Sequence, residues 1–463
     1  MYEGKDIMTR LTKITASIGP NCEDKDTLTK MIQAGVNVCR LNFSHDTGDV
    51  QGAKIDMIRS ISEKLGIPVA IMVDIQGPKH RIGNFKTENH YPLKIGQKFT
   101  LDSDPELGDE TRVQLPDADV MQSLSVGDRI LLNDGKIELR VDAVFDDKIE
   151  TTVIRGNEIW SRRGFNLPDT DINTDILTEK DKSDLEYALT KNPDWVAVSF
   201  VQRAEDISYV RDFITQRTAH PVKIIAKIER PNAVKRISDI INASDGIMIA
   251  RGDLAVELPF EQVPAVSRQI IRECRKQNKP VIMATQMLAS MVNSEFPTRA
   301  EISDVANAAY LRTDSTMTSE ETTIGDNPVN VIETMNKILS YADMDIVENS
   351  YDWSRVDNIP ENDWSKSVVS MAKLNKVSAI VVFARDTESA IQISCRRPDI
   401  PIIAICSDNI IANQLCLSRG VFPICDGYIF AQRDAFGAMR KFGVETGQIV
   451  IVDGDKISLR TLD

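Results

Sequence analysis

Histidine is scarce in this chain, and cysteine is poorly placed for chemistry. The 463 residues hold four histidines, His45, His80, His90 and His220. No two have the spacing of metal ligands, which argues against a histidine-based zinc centre or a Ser–His–Asp triad. The seven cysteines form no CxxC pair, and their odd count suits reduced thiols rather than a disulfide framework. No secretory signal and no bilayer-length apolar run is present, so a cytoplasmic location is expected. Positive charge is not in excess either: the formal net charge is −14, which argues against nucleic acid or an anionic membrane as the main partner. A GxGxxG after the first strand-like run is also missing, which removes the main reason to expect an open dinucleotide-binding sheet.

What is present is a β/α rhythm. The length allows two to four domains and a large core. Apolar runs at 12–19, 37–44, 68–75, 195–200, 222–229, 246–253 and 280–286 read as buried parallel strands, most followed by helical patterns. The run 313–319 is a weaker eighth, with many Thr and Ser. Eight such units predict a (β/α)₈ barrel over residues 1–77 and 166–340. Short alternating stretches with turn signals, such as Ser125-Val126-Gly127-Asp128 and Asn133-Asp134-Gly135, predict a β-rich insert over 78–165. A polar stretch over 349–365 precedes a compact α/β pattern, which predicts a separate domain over 341–463. Its strands are expected at 379–384, 401–406, 421–425 and 448–452.

In a barrel, chemistry collects at the C-terminal ends of the strands. The second run ends with Arg40, Asn42 and Ser44 alternating onto one face, then His45. The third ends with Asp74 and Ile75, followed by Lys79 and Arg81. Lys227 and Glu229 close the fifth run on one face, and Gly252 and Asp253 close the sixth. Thr285 and Gln286 close the seventh. Cations, two carboxylates suited to a hard divalent ion, and small hydroxyl and amide groups are the means of holding a phosphorylated substrate. A buried Lys–Glu pair is usually structural, but a third charge on the site-forming edge favours a functional reading here.

The strings TASIGPNCEDKDTLTKMIQAGVNVCRLNFSH, VDIQGPKHRIG, LNDGKIEL, RRGFNLPDTD, IIAKIERPNAV, IMIARGDLAVE, VIMATQMLASM and PTRAEISDVANA closely resemble the pyruvate kinase family, in family order. The resemblance implies a barrel, a β-rich lid domain and a C-terminal α/β domain, usually in a homotetramer. It implies phosphoryl transfer from phosphoenolpyruvate to ADP, giving pyruvate and ATP. On matching positions, Lys227 stabilises the transferring phosphoryl group, and Glu229 and Asp253 hold Mg²⁺ or Mn²⁺. The N–H groups of Gly252 and Asp253 receive the substrate carboxylate, Thr285 lies near the enolate carbon, and Arg40 contacts the phosphoryl group. Asn42, Ser44, His45 and Arg81 face the nucleotide phosphates, and Arg163, where the family often has Lys, reaches in from the insert.

Three departures from the family stand out. Lys79 occupies the place of a common Glu beside the K⁺ pocket, whose positions here are Asn42, Ser44, Asp74 and Ile75; an ammonium supplying that charge implies that K⁺ is not required. Two glycines of the eighth strand region are Arg312 and Glu320, which puts local close packing and positive φ in question. The loop 383–389, where allosteric members bind a sugar phosphate, has no glycine and carries Asp386 and Glu388, which implies no activation by fructose 1,6-bisphosphate. Two other functions fit parts of the pattern. One is a Mg²⁺-dependent aldolase or lyase acting on pyruvate-like enolates; the other is a weakly active regulatory paralogue.

Overall fold

The computed structural model describes residues 10–87, 90–172, 175–349 and 363–462. Eight strands form the centre: β1 (Lys13–Ile18), β2 (Val38–Asn42), β3 (Ala70–Ile75), β4 (Trp195–Val198), β5 (Lys223–Ile228), β6 (Gly246–Ala250), β7 (Val281–Ala284) and β8 (Ser315–Thr318). They are parallel and close in sequence order, β1 pairing with β8 through Lys13 and Ser315. This is the expected (β/α)₈ barrel.

Strand alternation divides the lumen into layers. Val38, Met72, Trp195, Ile225, Met248 and Ile282 fill it, with Cys416 and Leu417 of the C-terminal domain packed against them. Two residues further along β2, β3 and β5 come Arg40, Asp74 and Lys227. The period of two therefore stacks a charged layer on an apolar one, at the C-terminal mouth.

Several boundaries shift from the sequence reading. The first helix is Lys25–Gln33, starting four residues inside the helical pattern that opens at Asn21, because the Asp24 side chain accepts from the N–H groups of Asp26 and Thr27 and sets its start. The sixth run ends as a strand at Ala250; Arg251, Gly252 and Asp253 form the first turn of the helix Arg251–Glu257. Strand β8 is fully buried despite its sequence STMT. Its hydroxyls are satisfied locally: Ser315 Oγ lies 2.8 Å from Thr15 Oγ1, and Thr318 Oγ1 lies 3.0 Å from Thr322 Oγ1. Arg312 keeps a left-handed φ of 59°, and its guanidinium pairs with Asp399. Glu320 is exposed and opens the short helix Glu320–Thr323, where a negative charge is favourable.

The insert is a six-stranded, mainly antiparallel sheet that begins at Lys98–Asp102 and ends with Phe165–Asn166. Its core continues to Leu167 and Ile172, past the expected boundary at 165. The Asn133-Asp134-Gly135 turn has positive φ at all three residues, the conformation these residue types tolerate. The helix Pro328–Asn349 runs through the expected boundary at 341, and its Ala342 and Ile346 belong to the barrel core. The polar stretch over 349–365 lies largely outside the described residues.

The C-terminal domain holds β9 (Ala379–Ala384), β10 (Ile402–Cys406), β11 (Val421–Cys425), β12 (Gly447–Asp453) and β13 (Lys456–Leu462), in the order β11-β10-β9-β12-β13. The antiparallel edge strand β13 was not expected. Its sequence KISLRTL is largely exposed and polar, so it lacks the apolar signal of a core strand.

Candidate active site

At the mouth of the barrel, Lys227 stands between two carboxylates. Its Nζ lies 3.2 Å from Asp74 Oδ1 and 3.1 Å from Glu229 Oε1, and it donates to Ser199 Oγ at 2.6 Å. The Ser199 hydroxyl donates in turn to the Ile75 carbonyl at 2.8 Å. Glu229 Oε2 accepts the Phe200 N–H at 2.7 Å. Asp74 Oδ2 is held by Arg40 Nε at 2.7 Å, and Arg40 Nη1 donates to Ser17 Oγ at 2.8 Å. Five strand ends thus supply one connected polar layer.

The charges in this layer are mutually adjusted. Burial alone would lower the pKa of Lys227, but Asp74 and Glu229 outweigh it and hold the group above its ordinary value. Burial alone would raise that of Asp74, but Lys227 and Arg40 outweigh it and hold the carboxyl below the usual range. Glu229 behaves differently. Burial raises its pKa, Lys227 counters that, and the nearby charge of Asp253 raises it again. The charges of Glu229 and Asp253 thus bear on one another at the barrel mouth.

As oxygen donors, Glu229 and Asp253 are of the kind that fits a hard divalent cation. Among the described residues no group of three or more His, Cys, Asp or Glu forms a closed cage. The remaining ligands would be oxygens of substrate and water, the habit of hard Mg²⁺-type ions.

Thr285 lies on the wall opposite Lys227's partners. Its Oγ1 accepts the Gly252 N–H at 2.8 Å, so that N–H already has an acceptor before any substrate carboxylate arrives. Thr285 and Gln286 both have positive φ, 71° and 53°, uncommon for any non-glycine residue and most so for the β-branched Thr285. Arg251 fixes this turn by donating to the carbonyls of Ala284 and Thr285 at 3.2 and 2.7 Å and pairing with Asp304 at 2.8 Å.

A cleft between the barrel and the insert is lined by Lys79, Arg81, Arg163, Arg230 and Asp253. Arg81 bridges to Gly164 at the base of the insert and donates to the Arg162 carbonyl at 3.1 Å. Lys79 is exposed and runs along Gly164, its Cε 3.3 Å from where a Cβ on that glycine would stand. It lines the cleft, whereas the cations in contact with Asp74 are Arg40 and Lys227. Asn42 lies beside Asp74 in the β2–β3 register, and its Oδ1 accepts the Ser44 N–H at 3.1 Å. His45 follows, exposed on the same loop.

Ser17, Ser199 and the Phe200 N–H escaped the sequence reading. The strand-end rule applied to the first and fourth runs would have found the serines. The Phe200 backbone, at φ 59°, leaves no signature in residue type.

The family description "Pyruvate kinase, barrel domain" matches residues 9–332, and "Pyruvate kinase, alpha/beta domain" matches 362–459. The chain is 39% identical to the pyruvate kinase of Methylorubrum extorquens, over 96% of this chain and 94% of that one. It is 36% identical to the pyruvate kinase of Thermococcus litoralis, over 98% and 97%. Among solved structures it resembles a pyruvate kinase from Cryptosporidium parvum, with a TM-score of 0.93, 29% identity and coverage of 99% and 97%. With both domain descriptions matched and the strand-end charges assembled on one layer, the chain belongs to the pyruvate kinase family of phosphotransferases.

Proposed function

We propose that this chain transfers the phosphoryl group of phosphoenolpyruvate to ADP, giving pyruvate and ATP. The observation that carries the reading is Lys227, its side chain 12% exposed, kept charged, and within 3.2 Å of both Asp74 and Glu229 at the barrel mouth. Phosphoryl transfer depends chiefly on positioning and charge stabilisation, and an ammonium fixed by three partners supplies both. Arg40, already oriented by Asp74 and Ser17, presents its remaining nitrogen to the phosphoryl group. Glu229 and Asp253 hold the divalent ion, Mg²⁺ or Mn²⁺, which when bound supplies positive charge to substrate oxygens. The N–H groups of Gly252 and Asp253 seat the substrate carboxylate, that of Gly252 leaving Thr285 Oγ1 to do so, and Thr285 stands at the carbon to be protonated. Asn42, Ser44, His45, Arg81 and Arg163 face the nucleotide phosphates.

Finer readings follow from this chain's own residues. Lys79 makes K⁺ dispensable, and the cationic cleft it lines supports that. The loop after β9 binds no fructose 1,6-bisphosphate. In support, Arg385 and Arg433 are both taken by Asp453, at 3.2 and 3.1 Å, and Arg433 covers the rings of Phe383 and Phe430. Adding that sugar phosphate is expected to leave half-saturating phosphoenolpyruvate unchanged; a clear drop refutes it. Exposed Phe296, Ile302, Tyr341 and Met344 on and beside the helices Arg299–Tyr310 and Pro328–Asn349 support a homotetramer. Seven free cysteines support the cytoplasm, and no helix among the described residues is long and apolar enough to cross a membrane.

The deciding experiment is a coupled assay of pyruvate formation on wild type and Lys227→Met. We expect nucleotide-dependent turnover in the wild type. The variant should lose at least about a hundredfold in kcat while circular dichroism still reports a folded protein. A folded variant with near wild-type turnover would sink the assignment, as would a wild type that makes pyruvate without ADP.

A further inference from the structure

Arg163 enters the cleft on a built support. Its guanidinium carbon lies 4.8 Å from the centroid of the Trp160 ring. The Trp160 indole stacks in turn on the His90 imidazole, centroids 4.2 Å apart and planes 11° from parallel. His90 Nδ1 lies 3.0 Å from the Glu158 carboxylate. Arg163 Nε donates to the Ser161 carbonyl at 3.3 Å, which leaves both Nη groups for a ligand on the cleft side.

We propose that Trp160, backed by His90, is the positioning residue for Arg163: a flat aromatic face that sets the guanidinium toward the nucleotide phosphates. This deepens the reading of Arg163 as a nucleotide-binding residue and rests on it. A guanidinium is planar, weakly hydrated and stacks on an indole, whereas an ammonium is a strongly hydrated point charge that gains less from such a face. A freely rotating surface arginine must be ordered when phosphate binds. One already laid on a ring loses less freedom at that step, and its fork is presented for bidentate contact. The departure from the family's common Lys to Arg163 therefore goes with the ring beneath it. Arg163, Trp160 and His90 stack in that order and Glu158 holds the edge of the His90 ring, so each member orders the next.

Steady-state kinetics on Trp160→Ala, Trp160→Phe, Arg163→Met and the Trp160→Ala/Arg163→Met double variant test the proposal. Trp160→Ala is expected to raise KM for ADP about fivefold with kcat near wild type, and Trp160→Phe to restore most of the loss. In the Arg163→Met background, Trp160→Ala should add nothing further, because the group it positions is gone. Additive losses, or a Trp160→Phe variant as poor as Trp160→Ala, overturn the platform. If Arg163→Met is impaired while Trp160→Ala is wild-type-like, the platform alone falls. If Arg163→Met itself has wild-type KM for ADP, Arg163 leaves the nucleotide site and the platform goes with it. Should Trp160→Ala not fold, Trp160→Leu keeps apolar bulk without a π face and is expected to give the same rise in KM; a Leu variant with wild-type kinetics overturns the proposal.

Discussion

Two lysines near the barrel mouth perform different electrostatic work. Lys227 is enclosed by Asp74, Ser199 and Glu229, and its raised pKa keeps it an ammonium across the neutral range. The sign follows from linkage. A raised lysine contributes stability that is present below its unfolded pKa and lost only as pH rises through the folded value, far above neutrality. In the proposed function Lys227 therefore supplies constant charge and is not the group that titrates near pH 7. Lys79 is exposed and lines the cleft with Arg81 and Arg163. The Asp74 charge is already met by Arg40 and Lys227, so what Lys79 adds is positive potential over the cleft proposed for the nucleotide phosphates. Wild-type activity is expected to persist when K⁺ is replaced by tetramethylammonium. Lys79→Glu should lower activity roughly tenfold in that medium, with partial recovery on adding K⁺. A wild type that loses its rate without K⁺ would end the substitution idea.

At the scale of elements, charge at the opposite end of the strands governs stability rather than chemistry. Asp194 precedes β4, and its Oδ2 accepts the Ile71 N–H at 2.7 Å and pairs with Arg59 at 2.8 Å. Burial pushes its pKa up to about 6, with Arg59 opposing. The folded state thus holds a proton between about pH 4 and 6 that the unfolded chain has released, so stability falls as pH rises through that window. The integrated effect is about 3 kcal/mol. Asp194→Asn lacks this titration. Its thermal midpoint relative to wild type should therefore climb between pH 4 and 6.5; a gap that stays constant would show that Asp194 ionises normally. Such details mark the edge of what residue order conveys. The barrel, the insert and the layer of Arg40, Asp74, Lys227 and Glu229 were legible because period-two alternation and strand-end position depend on the local sequence alone. The length of the sixth strand was not, because the helix Arg251–Glu257 is fixed by contacts of Arg251 with Ala284, Thr285 and Asp304, more than thirty residues away. Strand β8 looked weak for a related reason: its hydroxyls find partners on β1 and on the helix that follows, which a hydropathy pattern cannot register.

The whole molecule is joined below the barrel by arginines of the C-terminal domain that enter the N-terminal ends of the strands. Arg397 Nη2 lies 2.6 Å from Asp314 Oδ2, and both side chains are 1% exposed. Asp314 also accepts the Val281 N–H and the Arg419 N–H, each at 3.0 Å. Arg419 pairs with Asp343 on the last barrel helix at 2.5 Å. Arg397 Nε donates to the Arg312 carbonyl at 3.0 Å, while the Arg312 guanidinium crosses to Asp399. The same carboxylate therefore anchors β7, β8 and the C-terminal domain, and the departure at Arg312 adds to the junction. Buried pairs of this kind need not outperform an apolar contact, but a single survivor is costly because its charge stays desolvated. Arg397→Met is expected to destabilise by about 3–5 kcal/mol, read as a fall in thermal midpoint, since Asp314 is left with backbone donors alone. Asp314→Asn in the same chain removes the stranded charge, and the double variant should recover more than half of the loss. Losses that simply add would mean that Arg397 and Asp314 stabilise the junction independently, and that the pair is not what holds the C-terminal domain to the barrel floor.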